Sequence, residues 1–170
     1  LQLTKAGDYT DQTLIKDGSV LLTGAGSLGA GAGTLGGNGD AFLTYAVDAD
    51  QTVANVIGGT GSITQKGPGK VTLSGANTYA GTTNAEAGTL AAGSATAFGT
   101  STVSISSGAT LDIGNYAVNN AVNVKAGTAD ALSTGAITSN GGSIGSLTLG
   151  SYSRLNVTGD MAMAAGSSFT

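Results

Sequence analysis

The chain has 170 residues, among them 30 Gly, 24 Thr, 17 Ser and 10 Asn, with one Pro and neither His nor Cys. Charged residues are only 9% of it, and six Lys and Arg against ten Asp and Glu leave a net charge of −4. This composition excludes a Ser-His triad, a thiolate nucleophile, an imidazole–zinc site and a disulfide framework, and the charge has the wrong sign for nucleic acid. Apolar residues at 40% and a mean hydropathy of +0.18 separate the chain from disordered sequences, which are poor in apolar residues and rich in charge. Gly, Thr, Ser and Asn are poor helix formers. The expectation is an all-β protein of many short strands and tight turns. The lack of Cys suits a chain kept extended while crossing an oxidising periplasm.

In chain order, apolar–polar–apolar triplets recur. They are Leu1-Gln2-Leu3, Val71-Thr72-Leu73, Val103-Ser104-Ile105, Leu111-Asp112-Ile113, Val122-Asn123-Val124, Leu147-Thr148-Leu149, Leu155-Asn156-Val157 and Met161-Ala162-Met163. Each places two apolar side chains on one face of a strand and a small polar one on the other. Nine residues are predicted to point inward between 61 and 124: Val71, Leu73, Leu90, Val103, Ile105, Leu111, Ile113, Val122 and Val124. Strands this short bury nothing alone and need stacked neighbours.

Internal repeats supply them. An offset of 70 pairs Leu3 with Leu73, Ala6 with Ala76, Tyr9 with Tyr79, Thr13 with Thr83, Gly18 with Gly88 and Gly29 with Gly99. An offset of 84 lays Gly61-Ser62-Ile63-Thr64 on Gly145-Ser146-Leu147-Thr148, and Lys70-Val71-Thr72-Leu73 on Arg154-Leu155-Asn156-Val157. Two offsets mean a degenerate array with loops of varying length, as in a solenoid. Three strands per coil of roughly 24 residues give about seven coils, stacked at about 4.8 Å per coil. Isolated charges such as Lys5, Lys16, Lys70, Asp112 and Arg154 fall at turns or at outward positions. The surface is then wettable and nearly uncharged, with little electrostatic steering.

Residues 66–83 read Lys-Gly-Pro-Gly-Lys-Val-Thr-Leu-Ser-Gly-Ala-Asn-Thr-Tyr-Ala-Gly-Thr-Thr, followed by Glu86-Ala87-Gly88-Thr89-Leu90. This stretch resembles the passenger-associated transport repeat of bacterial autotransporters. Ala97-Phe98-Gly99, Gly108-Ala109-Thr110-Leu111-Asp112-Ile113 and Ala117-Val118-Asn119-Asn120-Ala121-Val122 continue in the same style. The copy at residues 1–29 departs from the pattern, with Lys5 and Gly7 where Gly75 and Asn77 stand in the better copy. Ser143-Ile144-Gly145-Ser146-Leu147-Thr148-Leu149 and the later Ala164-Ala165-Gly166-Ser167-Ser168-Phe169 are similar to a segment that lies late in such passengers. The resemblance implies a right-handed parallel β-helix. It also implies display on the surface of a Gram-negative bacterium by a C-terminal membrane barrel outside these residues, or release after cleavage. The chain divides into a degenerate repeat at 1–60, the best-matching repeat at 61–124 and late-passenger coils at 125–170. It opens in mid-strand and closes without a polar end, as a single fragment of a longer passenger would.

Candidate chemistry is sparse. Asp40, Asp48 and Asp50 are carboxylates of the kind that polysaccharide-cleaving β-helices use. Asp48-Ala49-Asp50 places two on one face, but the flanking coils offer Lys70 and Thr72, or Gly24 and Gly26, and no third acid. They read as a solvated acidic turn. Gly36-Gly37-Asn38-Gly39-Asp40-Ala41-Phe42 approaches a calcium nonapeptide, yet its Asp falls one residue early and no tandem copy follows. Gly24-Ala25-Gly26 and the run from Gly29 to Gly33 lack the Lys and the helix that a phosphate loop needs. Tyr9, Tyr45, Tyr79, Tyr116 and Tyr152 are either packing residues or part of a binding face. Asn156-Val157-Thr158 is a glycosylation-type sequon with no expected role.

No catalytic, cofactor-binding or metal-binding residue is therefore expected, and no cofactor. The expected function is a non-enzymatic stalk or adhesin segment. Its partner would be a host cell-surface or matrix protein, a glycan, or the same protein on another cell. The alternatives are a self-association module and a scaffold for an enzymatic domain further upstream.

Overall fold

A strand with alternating burial needs a neighbour on each edge and a wall behind it. Here both come from stacking the chain on itself. The computed structural model describes residues 1–36 and 41–170. Strands are numbered in chain order. The first sheet is built, in spatial order, from β1 (Gln2–Leu3), β3 (Gly18–Thr23), β5 (Ala41–Ala46), β8 (Ser62–Gln65), β10 (Thr83–Ala85), β12 (Val103–Ile105), β14 (Ala117–Val124), β16 (Gly142–Leu149) and β18 (Met161–Met163). The second holds β6 (Gln51–Val53), β9 (Lys70–Leu73), β11 (Thr89–Ala92), β13 (Thr110–Gly114), β15 (Ser133–Ser139) and β17 (Ser153–Thr158). The third holds β2 (Thr13–Ile15), β4 (Gly33–Leu35) and β7 (Ile57–Gly59).

Every pairing is parallel and joins a strand to its equivalent one coil on, so the fold is a parallel β-solenoid of about eight turns. The all-β β-helix expected from the sequence is present, with one coil more than the expected seven. Coils are also shorter than expected. Ile63 pairs with Thr83, Thr83 with Val103 and Val103 with Val122, and these residue numbers give the length of each coil directly. The third face is a strand only as far as β7, but coil length does not depend on it: Gln2 pairs with Leu21 and Leu43 with Ile63 across coils that include β2 and β7. Beyond β7, Thr78 and Tyr79 donate backbone hydrogen bonds to Ile57 O, and Thr100 donates to Tyr79 O. Among the described residues, only the coil β5–β6–β7 carries a strand on all three faces: β1–β2 and β3–β4 lack one in the second sheet, and the coils after β7 lack one in the third.

The core is the interior of this prism. Val20, Leu43, Ile63, Thr83, Val103, Val122 and Leu147 form one inward row of the first sheet. Val71, Leu90, Leu111 and Ile137 form the row facing it from the second. All nine residues expected to point inward between 61 and 124 are buried. Burying an aliphatic side chain contributes about 1.5–3 kcal/mol, and stacking repeats that contribution along the rod.

The two sequence offsets have different structural meanings. An offset of 84 returns to the same sheet, taking β8 to β16 and β9 to β17. An offset of 70 does not. It carries β1 onto β9, β2 onto β10 and β3 onto β11, each one face further round the prism. The same local unit of corner, strand, glycine and strand thus serves on any face.

Candidate functional surface

The transport-repeat motif is explained by its corner. Asn77 turns inward, where its Oδ1 accepts from Ile57 N at 2.8 Å and its Nδ2 donates to Ala97 O at 2.7 Å. It therefore ties together three successive coils. Gly75 precedes it because a Cβ there would stand 2.0 Å from Asn55 O. Tyr79 is fully buried, with its hydroxyl 2.6 Å from Thr83 Oγ1, which in turn lies 2.6 Å from Ser101 Oγ. Asn120 caps the next corner, donating to Phe98 O, Gly99 O and Ser101 O. Burial pushes the Tyr45 and Tyr79 phenols well above their ordinary range. At Tyr79 the hydrogen bonds with Thr83 and Ser101 oppose this shift.

The remaining tyrosines divide. Tyr116 is half-buried against the core, whereas Tyr9 and Tyr152 are exposed. Tyr9 keeps the local bond of its repeat equivalent, 2.8 Å from its hydroxyl to Thr13 Oγ1, without the burial. The Gly run at 24–33 packs one coil on another: a Cβ on Gly29 would lie 2.2 Å from Tyr9 O.

Asp48 and Asp50 are exposed in the bend between β5 and β6, and Asp50 Oδ1 accepts from Lys70 N at 3.0 Å. This is the Lys70 neighbourhood foreseen for them. Asp40 and the centre of the candidate calcium loop, 37–40, lie outside the described residues. Among the described residues no three acids gather in a metal-holding group. Asn156 is exposed on β17.

The outer faces differ in charge. Among the described residues, the nine strands of the first sheet contain no Asp, Glu, Lys or Arg. Their outward residues run in register: Thr44, Thr64, Asn84, Ser104, Asn123 and Thr148 form one row. Bonds also run along the axis of this row, from Asn84 Nδ2 to Thr64 Oγ1 at 3.5 Å and between the Thr148 and Thr170 hydroxyls at 3.1 Å. Among the described residues, strand-borne charge is confined to the second sheet, where Lys70 Nζ reaches over β11 to Asp112 Oδ2 at 2.8 Å. Sequence reasoning placed both charges outward but did not see the pair, which the solenoid brings together from distant points of the chain.

Two features escaped the sequence reading. Leu132 stands exposed on a loop at 126–132, and Tyr152 has φ +53. The spacing of triplets held a signal for the loop, since the step from Val122 to Leu147 is the longest in its row.

The geometry defines a class, the parallel β-solenoid, here with one corner sealed by Gly75, Asn77, Tyr79 and Thr83. A model of the passenger-associated transport repeat matches residues 63–92, which run from β8 to β11 and include that corner. The chain is also similar to the adhesin BmaC autotransporter of Brucella suis biovar 1 (strain 1330), with 34% identity over 109 residues. That match covers 62% of this chain and 3% of the relative, so the chain corresponds to a small part of that protein's length. No solved structure gives a significant match. Residues 63–92 thus match the transport repeat of autotransporter passengers, and the similarity to the Brucella protein extends that likeness over 109 residues.

Proposed function

We propose that the chain is a non-enzymatic adhesive segment of its passenger, holding out and contributing to a surface that attaches the bacterium to host cells or matrix. The observation that carries this reading is the charge-free first sheet among the described residues, with its in-register row of Thr, Asn and Ser from Thr44 to Thr148. Short side chains on a rigid ladder lose little freedom on binding, and each hydrogen bond they make contributes about 0.5–1.5 kcal/mol net. Contacts of this kind are individually weak and add up when many copies act together on one cell. The similarity to an adhesin supports the same reading. The three stretches 1–60, 61–124 and 125–170 act as one continuous rod and not as separate functional units.

Deletion of residues 1–170 from the full displayed passenger tests the proposal. Attachment to host cells should fall. Normal attachment by the deletion strain, with surface display verified, would reduce this segment to a spacer. Self-association is a second reading, favoured by the same neutral rows, because two identical uncharged faces meet no like-charge repulsion. Clumping of displaying cells without host cells present would select it.

A further inference from the structure

The geometry points to a docking groove at the 126–132 loop, beside Tyr152, that takes an extended segment of another protein by an apolar side chain next to a carboxylate. This inference rests on the adhesive reading and gives it a site and a partner chemistry.

Insertions in a repeat array project as loops on one face, often the binding face. The step from Val122 to Leu147 is the longest along the inward row that starts at Val20. The extra residues form the projecting loop, which closes on itself through reciprocal backbone bonds between Thr128 and Ala131. Between this loop and the coil below it lies a groove of about 340 Å³. Ala126, Ala131, Leu132 and the Lys125 stem supply apolar wall, and Leu132 is 48% exposed.

Tyr152 sits one coil further on, with its backbone against the loop. Its carbonyl accepts from Ser133 N at 3.0 Å, and Gly127 N donates to Ser151 O at 2.9 Å, so its backbone is fixed to two groove residues. It is 60% exposed and is the one described non-glycine residue with positive φ. A large L-residue in that region carries strain that Gly or Asn would avoid. Nothing in the core requires an aromatic ring there, since the side chain faces solvent. Exposed, rigidly mounted Tyr beside a pocket is the residue type that dominates protein contacts.

Charge selects the occupant. Lys125 lines the groove, no described lining residue is acidic, and its nearest partner, Glu86, is 4.0 Å away. Asp130, on the same loop, is exposed and is not among the lining residues. A carboxylate on the incoming chain fits the Lys125 cation.

Random dodecapeptides on phage, panned against the passenger containing this chain, test the site. Enriched peptides should share an aromatic or aliphatic residue next to Asp or Glu. Tyr152→Gly and Leu132→Ser should each reduce their capture about tenfold or more, and Lys125→Ala should remove the acidic preference. Tyr152→Gly keeps the proposal separable from misfolding, because it relieves the strained backbone and should leave the melting temperature unchanged or higher. Capture indifferent to all three substitutions would overturn the groove. So would a glycan array whose signal vanishes with Tyr152→Gly while no peptide is enriched. Attachment that survives Leu132→Ser/Tyr152→Gly but not deletion of 1–170 would overturn the groove and leave adhesion standing. Attachment that survives both removes the adhesive reading, and peptide capture then decides the groove alone.

Discussion

The Tyr79 hydroxyl lies 2.6 Å from Thr83 Oγ1, and in the earlier copy of the repeat Tyr9 and Thr13 hold the same pair at 2.8 Å. One pair is buried and belongs to a corner leading into the first sheet; the other is exposed and leads into the third. The local bond is thus a property of the sequence unit, and its energetic weight is set by where the solenoid places it. Tyr79→Phe should cost about 0.5–1.5 kcal/mol, the net value of a buried hydrogen bond. Tyr9→Phe should cost no more than a few tenths, within the usual range of surface substitutions. Equal losses in urea unfolding would show that burial is not the distinguishing factor.

Asn77→Ala should be far more damaging. It strands Ile57 N and Ala97 O in the interior, and each buried unsatisfied group costs about 1–3 kcal/mol. A total loss of about 2–6 kcal/mol is expected by chemical denaturation. A loss below about 1 kcal/mol would mean that water reaches the corner.

Register is tested at adjacent positions. Leu73 is fully buried on β9 and Thr72 faces outward. Leu73→Asp buries an unpaired carboxylate and should unfold its neighbourhood, whereas Thr72→Asp should stay within about 0.5–1 kcal/mol. Equal harmlessness would refute the inward assignment.

The strands were legible because period-2 alternation survives wherever a strand has a wet face and a dry one, as in Val103-Ser104-Ile105 and Leu111-Asp112-Ile113. The third face was not. Asn77, Tyr79, Ala97 and Phe98 are all buried in corners that follow no alternation, and their roles depend on backbone atoms one coil away. Leu155-Asn156-Val157 keeps its alternation but not its burial: Val157 is 45% exposed on β17, the outermost strand of its sheet. The Lys70–Asp112 pair and the Leu132 groove needed coil lengths, which two competing offsets could not fix.

Alkaline pH should destabilise the fold through its buried phenols. Both Tyr45 and Tyr79 are raised in the folded state, chiefly by desolvation. The unfolded chain, with tyrosines near about 10, therefore loses protons first. Their contribution is complete below about pH 10 and declines above it, by about 1.4 kcal/mol per pH unit for each phenol, until the folded values are reached. Tyr45 OH is buried without a hydrogen-bond partner, so Tyr45→Phe should be neutral or stabilising at pH 7 and should reduce the alkaline slope. A clear loss of stability at pH 7 would show that the hydroxyl has a partner, such as a bound water.

Calcium provides a separate check on the acidic turn. Asp48 and Asp50 are exposed, and Asp50 is already engaged with the Lys70 amide. An ion held only by the native state must raise its stability by RT ln(1 + [L]/Kd). Millimolar calcium should therefore leave the melting temperature unchanged, and Asp48→Asn should do the same. A calcium-dependent rise of several degrees, lost in Asp48→Asn, would reinstate the site. A rise that persists in Asp48→Asn would point instead to the loop at 37–40.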